Sequence, residues 1–394
     1  MTTIRAAPET PAEAIGGDLF EGFGDRTTVV IRHSGKAFSA IGRSRTVVVP
    51  AGAGHVGRAA SLTQKMLGEV DGIGIAMGAL PFDGSCDAVL RVSERAMRGE
   101  RTHVDSPAEP AWAVIALIPD PLPVEYEAAV STALEAIDAG EVEKVVLARS
   151  LVVETDSPID PRVVARRLCA AESGAYVFLV ALPGGASSLV GASPELLVRR
   201  RGMRVSSDPL AGTAQRSRDR ARDVEIARQL LDTVKEQREH RITAEAVADA
   251  LAPFCSKLSV DPEPSLTSTS TLWHLQTSVR GTLKPDAPDA LTIAAALHPT
   301  PAICGTPRPA AADLITRLEG FDRRFFAGLV GWVDARGDGE WALTLRCAEI
   351  SGSIARLLAG AGIVAGSDPA AEDLETEAKF GVLLRALGAE PGQG

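Results

Sequence analysis

Cysteine is scarce in this sequence, and its arrangement argues against two kinds of site. Five cysteines are scattered among 394 residues, with an odd total and no C-x-x-C pair. This usage indicates a reducing compartment and argues against both a disulfide framework and a Cys/His zinc site. The zinc signature H-E-x-x-H is also absent, so zinc is not an expected ligand.

Long apolar runs and an excess of positive charge are absent as well. The N-terminal stretch MTTIRAAPETPAEAIGGDLF has no apolar core of signal-peptide length, and no later run approaches the ~18 apolar residues of a membrane span. The net charge of −10 argues against binding nucleic acid or an anionic membrane through bulk electrostatics. We therefore expect a cytoplasmic protein that holds any anionic substrate with a local cluster of cations.

The segments that are present alternate between groups of strands and helices. Hydrophobic residues make up 45% of the chain and charged residues 23%, as in soluble globular proteins. Because the strands come in groups instead of strict βαβ alternation, an α+β fold with largely antiparallel sheets is favoured. We expect residues 1–15 to be poorly ordered and residues 16–390 to form one large domain. The chemical motifs lie in 119–390, and 16–118 carries none that we assign.

One acidic motif, KEQREH, lies in a long charged helix predicted over 219–251. On a helix, Glu236 and Glu239 project from the same side because they are three residues apart. A solvated face is the ordinary meaning of a single E-x-x-E pair. The alternative is a hard-cation site, because Mg²⁺ prefers carboxylate oxygens.

A second E-x-x-E pair lies in AAEDLETEAKF, in a last helix predicted to begin at Asp368–Pro369. Glu372 and Glu375 share one side of that helix with Lys379. Two helices that each offer an E-x-x-E pair would supply both direct and water-mediated ligands to one cation. The remaining carboxylates of the segment fall on the other side and are expected to face solvent: Asp373 and Glu377.

Three further charged residues have both a structural and a chemical interpretation. Lys144 begins the strand KVVLAR and is either a solvated edge residue or, in a partly dry cleft, a base. Glu195 in GASPELLV is either a loop carboxylate or, in an apolar pocket, a proton donor with a raised pKa. Arg346 interrupts the predicted strand LTLRCAEI and is either a rim salt bridge or a carboxylate clamp.

The Gly-rich stretch LAGAGIVAG is a near match to a dinucleotide fingerprint. Too few residues follow it to complete a nucleotide-binding half, and the Lys-Ser/Thr ending of a P-loop is missing. It is either a tight turn or a bare backbone whose N–H groups approach an anionic ligand. Much earlier in the chain, LWHLQTSVRGTL is predicted as one strand with His274, Gln276 and Ser278 on the same face.

Taken in order, these motifs resemble the chorismate-utilising enzymes, which include isochorismate, salicylate, anthranilate and aminodeoxychorismate synthases. The resemblance covers about 120 to 390 and extends weakly to GALPFD (78–83). It implies a single α+β domain in which two antiparallel sheets pack as a sandwich with helices outside, and a requirement for Mg²⁺. We expect a monomer. The motifs that carry the resemblance are KVVLAR, GASPELL, AGT, KEQREH, LWHLQTSVRG, LHPTPAICGTP, LRCAEI, AGAGIVAGSDP and ETEAKF.

Within the family, the resemblance implies the nucleophile. Members that use water have a lysine at the position of Lys144, whereas members that use an amine have glutamine there. LHPTPAICGTP is more similar to isochorismate synthases than to salicylate synthases. The expected activity is therefore an isomerase that reversibly converts chorismate to isochorismate for siderophore or menaquinone synthesis. The alternatives are a salicylate synthase, an anthranilate or aminodeoxychorismate synthase component, a nucleotide-binding oxidoreductase, and an inactive relative.

The resemblance also implies a role for each site residue. Lys144 would deprotonate the water that attacks C2 of chorismate, and Glu195 would protonate the departing C4 hydroxyl. Cys304, in the loop beside the pocket, is interpreted as packing. Mg²⁺ would be bound directly by Glu239 and Glu375, and through water by Glu236 and Glu372. The residues expected to contact substrate are Thr213, His274, Arg346, Gly360, Ala361, Gly362 and Lys379.

Overall fold

The computed structural model of the chain describes residues 13–14, 20, 29–33, 36–70, 74–100 and 109–389. The expected disorder of residues 1–15 therefore falls mostly outside the described residues and stays a prediction. Within the described part, none of the helices has both the length and the apolar character needed to cross a membrane.

The described residues form twenty-one strands and eight α-helices. The strands are β1 (Glu13–Ala14), β2 (Val29–His33), β3 (Lys36–Val49), β4 (Ile75–Leu80), β5 (Ala88–Glu100), β6 (Val114–Asp120), β7 (Lys144–Thr155), β8 (Tyr176–Ala181), β9 (Ser188–Ser193), β10 (Leu196–Arg201), β11 (Arg204–Asp208), β12 (Leu210–Gln215), β13 (Cys255–Val260), β14 (Ser265–Ser268), β15 (Leu272–Gln276), β16 (Val279–Leu283), β17 (Gly305–Thr306), β18 (Leu329–Asp334), β19 (Gly339–Leu343), β20 (Cys347–Ser351) and β21 (Ile354–Val364). The helices are α1 (His55–Leu67), α2 (Pro123–Asp138), α3 (Pro161–Ala171), α4 (Arg220–Asp232), α5 (Val234–Leu251), α6 (Ala290–Leu297), α7 (Arg308–Glu319) and α8 (Pro369–Leu387).

Nearly all strand pairs are antiparallel, which confirms the α+β prediction. One half of the large sheet runs β13-β16-β11-β10-β19-β18-β4-β5, and the other runs β8-β9-β20-β21-β7-β6. The β2–β3 hairpin joins the halves, because β3 pairs with β5 and β2 pairs with β8. The two expected layers are thus parts of one hydrogen-bonded sheet. A separate small sheet contains β12, β15 and β14.

Strand β8 shows why this arrangement suits the sequence. Tyr176, Phe178 and Val180 lie in the apolar core shared with the other half of the sheet. Val177 and Leu179 point the opposite way, into a second core that includes residues of α3 and α8. Because side chains alternate along a strand, a strand covered on both faces must be apolar throughout. Each such side chain contributes roughly 1.5–3 kcal/mol on burial.

Two predicted elements are broken in the structure. The helix predicted over 219–251 is two helices, because Thr233 adopts an extended conformation (φ −76°, ψ 117°) and its hydroxyl donates to the carbonyl of Gln229. The strand LWHLQTSVRGTL is also two elements, since β15 belongs to the small sheet and β16 to the large one. Both breaks redirect the chain, so that the polar side chains of α5 and β15 reach the interior.

The last helix begins where the sequence predicts. The carboxylate of Asp368 accepts a hydrogen bond from the Ala371 N–H at 2.9 Å, and Pro369 occupies the first turn. Gly388 ends α8 in the left-handed conformation, with φ 92°. The helix packs against β21 and α2, which places one of its faces beside the end of β7.

Candidate active site

A cavity lies where β7, β21, the small sheet, α5 and α8 meet. The structure brings most of the predicted site residues to its wall. Those that line the cavity are Glu195, Thr213, Glu239, His274, Arg346, Gly360, Gly362, Glu375 and Lys379. Four predicted residues lie outside the lining: Lys144, Glu236, Ala361 and Glu372.

Lys144 is fully buried at the start of β7 and is not a solvated edge residue. Its Nζ lies 2.9 Å from Oε1 of Glu239 and 3.4 Å from Oγ1 of Thr243. Burial alone would raise the pKa of Glu239, but the ammonium group of Lys144 and other nearby lysines lower it. Gly362 stands directly against this pair, since a Cβ atom there would overlap the Glu239 carboxylate. Lys144 therefore lies behind Glu239 at the cavity wall, and any side chain at position 362 would have to displace the Glu239 carboxylate.

Glu195 lies between β9 and β10 and is 3% exposed. The Leu210 N–H donates to its Oε1 at 3.3 Å. Burial raises the pKa of Glu195 to about 8, although the Leu210 N–H and the charge of Lys144 both lower it. The carboxyl group is therefore mostly protonated near neutral pH, which is the state that a proton donor requires.

Lys235, which the sequence did not single out, holds carboxylates from two helices. Its Nζ lies 2.6 Å from Oε1 of Glu372 and 3.4 Å from Oε1 of Glu236. Burial and the charge of Glu239 raise the pKa of Glu236 to about 7. Burial and the charge of Glu375 raise the pKa of Glu372. The signal for Lys235 was present in the sequence, as the first residue of KEQREH.

The donor chemistry of this cleft fits a hard divalent cation. Four carboxylates from α5 and α8 face one region. Besides burial, the charges of Glu239 and Glu375 raise the pKa of Glu236, and the charge of Glu375 raises that of Glu372. Mg²⁺ takes oxygen ligands of this kind. Within the part of the chain that the structure describes, no three His, Cys, Asp or Glu side chains form a preformed metal site. Lysine ammonium groups hold the carboxylate oxygens instead, so a cation must displace some of these contacts.

Lys379 connects α8 to β21 at the cavity wall. Its Nζ donates to the Gly360 carbonyl at 2.7 Å and also contacts Oε1 of Glu375, one turn earlier on the helix. The inward side of α8 predicted from helical spacing therefore exists. Its three predicted members, Glu372, Glu375 and Lys379, all engage groups of the cleft.

Backbone register decides which amides of the Gly-rich segment face the cavity. β21 pairs Gly360 with Ala148 and Gly362 with Val146. The N–H groups of Val146 and Ala148 donate to groups outside β21. These are therefore the non-hydrogen-bonded positions of the ladder, and the N–H groups of both glycines point away from β7 toward the cavity. Ala361 lies between them, so its backbone groups point toward β7 instead.

Two buried nitrogen atoms at the cavity lack partners among the described residues. Arg346 lies in the gap between β19 and β20, with φ 47°, and its Nε is unpaired. Nδ1 of His274 lies 3.2 Å from Oγ1 of Thr213, whereas its Nε2 is unpaired. Burial and the charge of Arg346 hold the pKa of His274 well below its usual value, so the ring is neutral. Buried polar groups normally have hydrogen-bond partners, so both nitrogen atoms are candidates for contact with a ligand in the cavity.

The expectation that Asp373 and Glu377 face solvent is wrong for Asp373, whose side chain is 14% exposed, and holds in part for Glu377, whose side chain is 44% exposed. Arg149, 2% exposed, extends from β7 to this side of α8. Its Nη2 lies 3.0 Å from Oδ1 of Asp373 and 3.2 Å from Oε2 of Glu377, and its Nε donates to Thr376 Oγ1 at 2.6 Å. A buried guanidinium needs such partners. The lone arginine in the apolar run KVVLAR was the signal for them.

Cys304 is fully buried and belongs to the main apolar core. Burial raises the pKa of its thiol to about 11, so the thiolate is scarce near neutral pH. This environment agrees with the interpretation of Cys304 as a packing residue.

Comparison with known proteins gives the family. The family model described as "Chorismate binding enzyme" matches residues 85–388. The chain belongs to the chorismate-binding enzyme family. It is 43% identical over 323 residues to the isochorismate synthase DhbC of Bacillus subtilis, a match that covers 80% of this chain and 81% of the relative. It is 39% identical over 319 residues to the isochorismate synthase EntC of Escherichia coli, with coverages of 80% and 81%.

Solved structures of the family share the fold. The crystal structure of DhbC from Bacillus anthracis has a TM-score of 0.85 and 39% identity, and the match covers 92% of this chain and 97% of that one. Component I of anthranilate synthase from Streptococcus pneumoniae has a TM-score of 0.71 at 20% identity, with coverages of 96% and 95%. The family resemblance is confirmed. Because the anthranilate synthase component has this fold too, the reaction must be argued from the site.

Proposed function

We propose that this chorismate-binding enzyme is an isochorismate synthase, an isomerase that moves the ring hydroxyl of chorismate from C4 to C2. The observation that carries the proposal is a buried amine, Lys144, directly behind the cavity-lining Glu239, in the same site as the buried carboxyl group of Glu195, which lines the cavity and has a raised pKa. A base and an acid whose environments differ in this way suit the removal of one proton and the delivery of another. The isochorismate synthases DhbC and EntC, about 40% identical to this chain, support the same reaction.

The two residues divide the chemistry. Lys144 acts after it has given up the proton and the ion pair that it shares with Glu239. As the free amine it takes a proton from water, and the water oxygen forms a bond to C2. The ring double bonds shift, the C4–O bond breaks, and Glu195 gives its proton to the departing hydroxyl group, which leaves as water. One water enters and one leaves, so the product is an isomer of the substrate. Substrate and product have similar stability, and the reaction is therefore reversible.

The polar groups of the cavity wall suit a substrate with two carboxylates. The unpaired Nε–H of Arg346 and the N–H groups of Gly360 and Gly362 can donate hydrogen bonds to carboxylate oxygens. Lys379 adds positive charge close to them. Neutral His274 presents its free Nε2 to the hydroxyl side of the ring, with Thr213 holding the other ring nitrogen.

Mg²⁺ is the cofactor that we propose for the cleft. Glu239 and Glu375 would hold it directly, with Glu236 and Glu372 acting through water. When bound, the ion supplies positive charge that polarises the ring carboxylate. Glu239 now shares Oε1 with Lys144, so its use as a metal ligand would leave Lys144 without that ion-pair partner.

A product assay tests the proposal. Purified protein is incubated with chorismate and Mg²⁺, and the products are separated by chromatography. Isochorismate should accumulate to an equilibrium that is also reached when isochorismate is supplied. Salicylate fluorescence without an added lyase would establish a salicylate synthase instead, and a product that requires ammonia would establish an anthranilate or aminodeoxychorismate synthase. Gel filtration of the same sample tests the expected monomer.

A further inference from the structure

A buried ion pair lies behind the cavity, outside the groups that the proposed reaction uses. Glu319 is the last residue of α7, and Arg323 follows it by four residues. The Arg323 Nε donates to Oε2 of Glu319 at 2.8 Å, and Nη2 contacts Oε1. Both side chains are 2% exposed, and neither lines the cavity.

This pair is hydrogen-bonded to the backbone of two separate segments of the cavity wall. On one side, Glu319 accepts the Ala148 N–H at 2.8 Å, and Arg323 Nη2 donates to the Val146 carbonyl at 2.7 Å. On the other side, Arg323 Nη1 donates to the Ile303 carbonyl at 2.7 Å. Val146 and Ile303 both line the cavity, and Val146 is two residues from Lys144 on the same strand.

The hydrogen-bond geometry of this pair requires an arginine. A planar guanidinium presents its donors in a fixed fork and here reaches a carboxylate and two carbonyls at once. Its face also lies 4.5 Å from the centre of the Phe82 ring. A lysine has one compact ammonium group and cannot meet three acceptors in these directions. A buried pair adds little net stability compared with apolar packing, so its value here lies in the geometry that it imposes.

We propose that the Glu319–Arg323 pair is a positioning device that sets the distance between the Lys144 strand and the Ile303 wall. The inference rests on the proposed function, because it assigns the pair a role in placing Lys144 against substrate. Neither residue touches the reacting atoms. A misplacement of about 1 Å in an active site costs roughly 100-fold in rate, so the rate should depend on the pair even in a folded protein.

The test compares Arg323→Lys with its neighbour variant Arg324→Lys. Arg324 is half exposed, pairs with Glu349 and does not line the cavity, so it is a matched control. Arg323→Lys should lower kcat about 10- to 100-fold and raise KM for chorismate, whereas Arg324→Lys should stay within about twofold of the parent in both. The alkaline limb of the pH–rate profile should not move in either variant, because Glu195 is untouched.

The double variant Glu319→Gln/Arg323→Met covers the case in which Arg323→Lys does not fold. It removes both charges together, so no uncompensated buried charge remains. Folding is checked by circular dichroism and thermal unfolding, and rates are compared well below the melting temperature. A folded variant with lower Tm but kcat and KM within twofold of the parent would overturn the proposal. The parent's product assay comes first, so failure of the proposed function is seen separately as a parent that does not convert chorismate.

Discussion

Helix α8 carries ion pairs on two sides, and the two sides use different cations. The inward side belongs to a cleft cluster in which every cation is a lysine: Glu236, Glu239, Glu372 and Glu375 with Lys144, Lys235 and Lys379. The outward side belongs to an arginine cluster built around one guanidinium: Arg149 with Asp373, Thr376 and Glu377.

The choice of cation distinguishes the cleft cluster, whose contacts can rearrange, from the arginine cluster, whose contacts are fixed. Arg149 meets all of its partners at once through a planar fork, which suits a permanent contact. The cleft cluster has four carboxylates against three ammonium groups on flexible stems, and burial and crowding raise the pKa of Glu236 to about 7. Because the cluster has more carboxylates than ammonium groups, it can release an ammonium group and bind a metal ion in its place. We therefore expect the cleft to act in catalysis and the arginine cluster to stabilise the fold.

The largest expected effect is on the cleft side. Lys144→Ala removes the proposed base, so kcat should fall by about 10²–10⁴-fold or more while chorismate still binds. Stopped assays for isochorismate and calorimetric titration with chorismate measure the two quantities. The base assignment is refuted if the variant turns over as fast as the parent.

Disrupting the arginine cluster on the outward side of α8 should lower the stability of the fold instead of the activity. Arg149→Met leaves Asp373 and Glu377 without their cation and should cost roughly 3–5 kcal/mol in the free energy of unfolding. Urea unfolding measures the loss. Lys235→Met is the matched control from the cleft. Its partners Glu236 and Glu372 have raised pKa values and can take up a proton when the lysine is removed, so a smaller loss is expected. Equal losses for both variants would contradict the distinction between the clusters.

The pH dependence should report Glu195. Its pKa in the folded protein is raised to about 8, so kcat/KM should fall about tenfold per pH unit above that value as the donor loses its proton. The folded pKa also exceeds the unfolded value of about 4.3. The stability from the neutral carboxyl group is therefore full below about pH 4.3 and is lost as pH rises through about 8. Glu195→Gln should remove this loss, and an unchanged stability profile would contradict the assignment.

The smallest expected effect compares single carboxylates on the two sides of α8. Glu375→Gln should weaken Mg²⁺ binding by at least about tenfold, the scale of losing a supporting group at a metal site. Glu377→Gln, whose side chain is 44% exposed, should leave Mg²⁺ binding unchanged. Calorimetric Mg²⁺ titrations of the two variants provide the measurement. An unchanged titration for Glu375→Gln would remove that residue from the proposed ligands.

Local sequence patterns predicted which helices and strands exist more reliably than they predicted where those elements end and what they pack against. The N-cap of α8 and the division of its carboxylates into two sides follow from spacing alone, and both are present. The break at Thr233 was missed because a continuous charged pattern does not record where tertiary packing bends a helix. The burial of Lys144 was left open, because a lysine at the start of a strand looks the same whether the strand ends in water or against α5.

The sequence by itself determined the α+β class, the two acidic helices and the family resemblance, and through that resemblance it predicted a lysine base and a carboxylic acid as proton donor. These depend on residue types and short spacings, which the chain carries locally. Tertiary structure alone decided that Glu239 neutralises Lys144, that Arg149 occupies the outward side of α8, and that an ion pair braces the cavity. Each of these contacts joins residues that are distant in the chain or are held in place by the packing around them. The strength of the contacts depends on burial, which local spacing does not record.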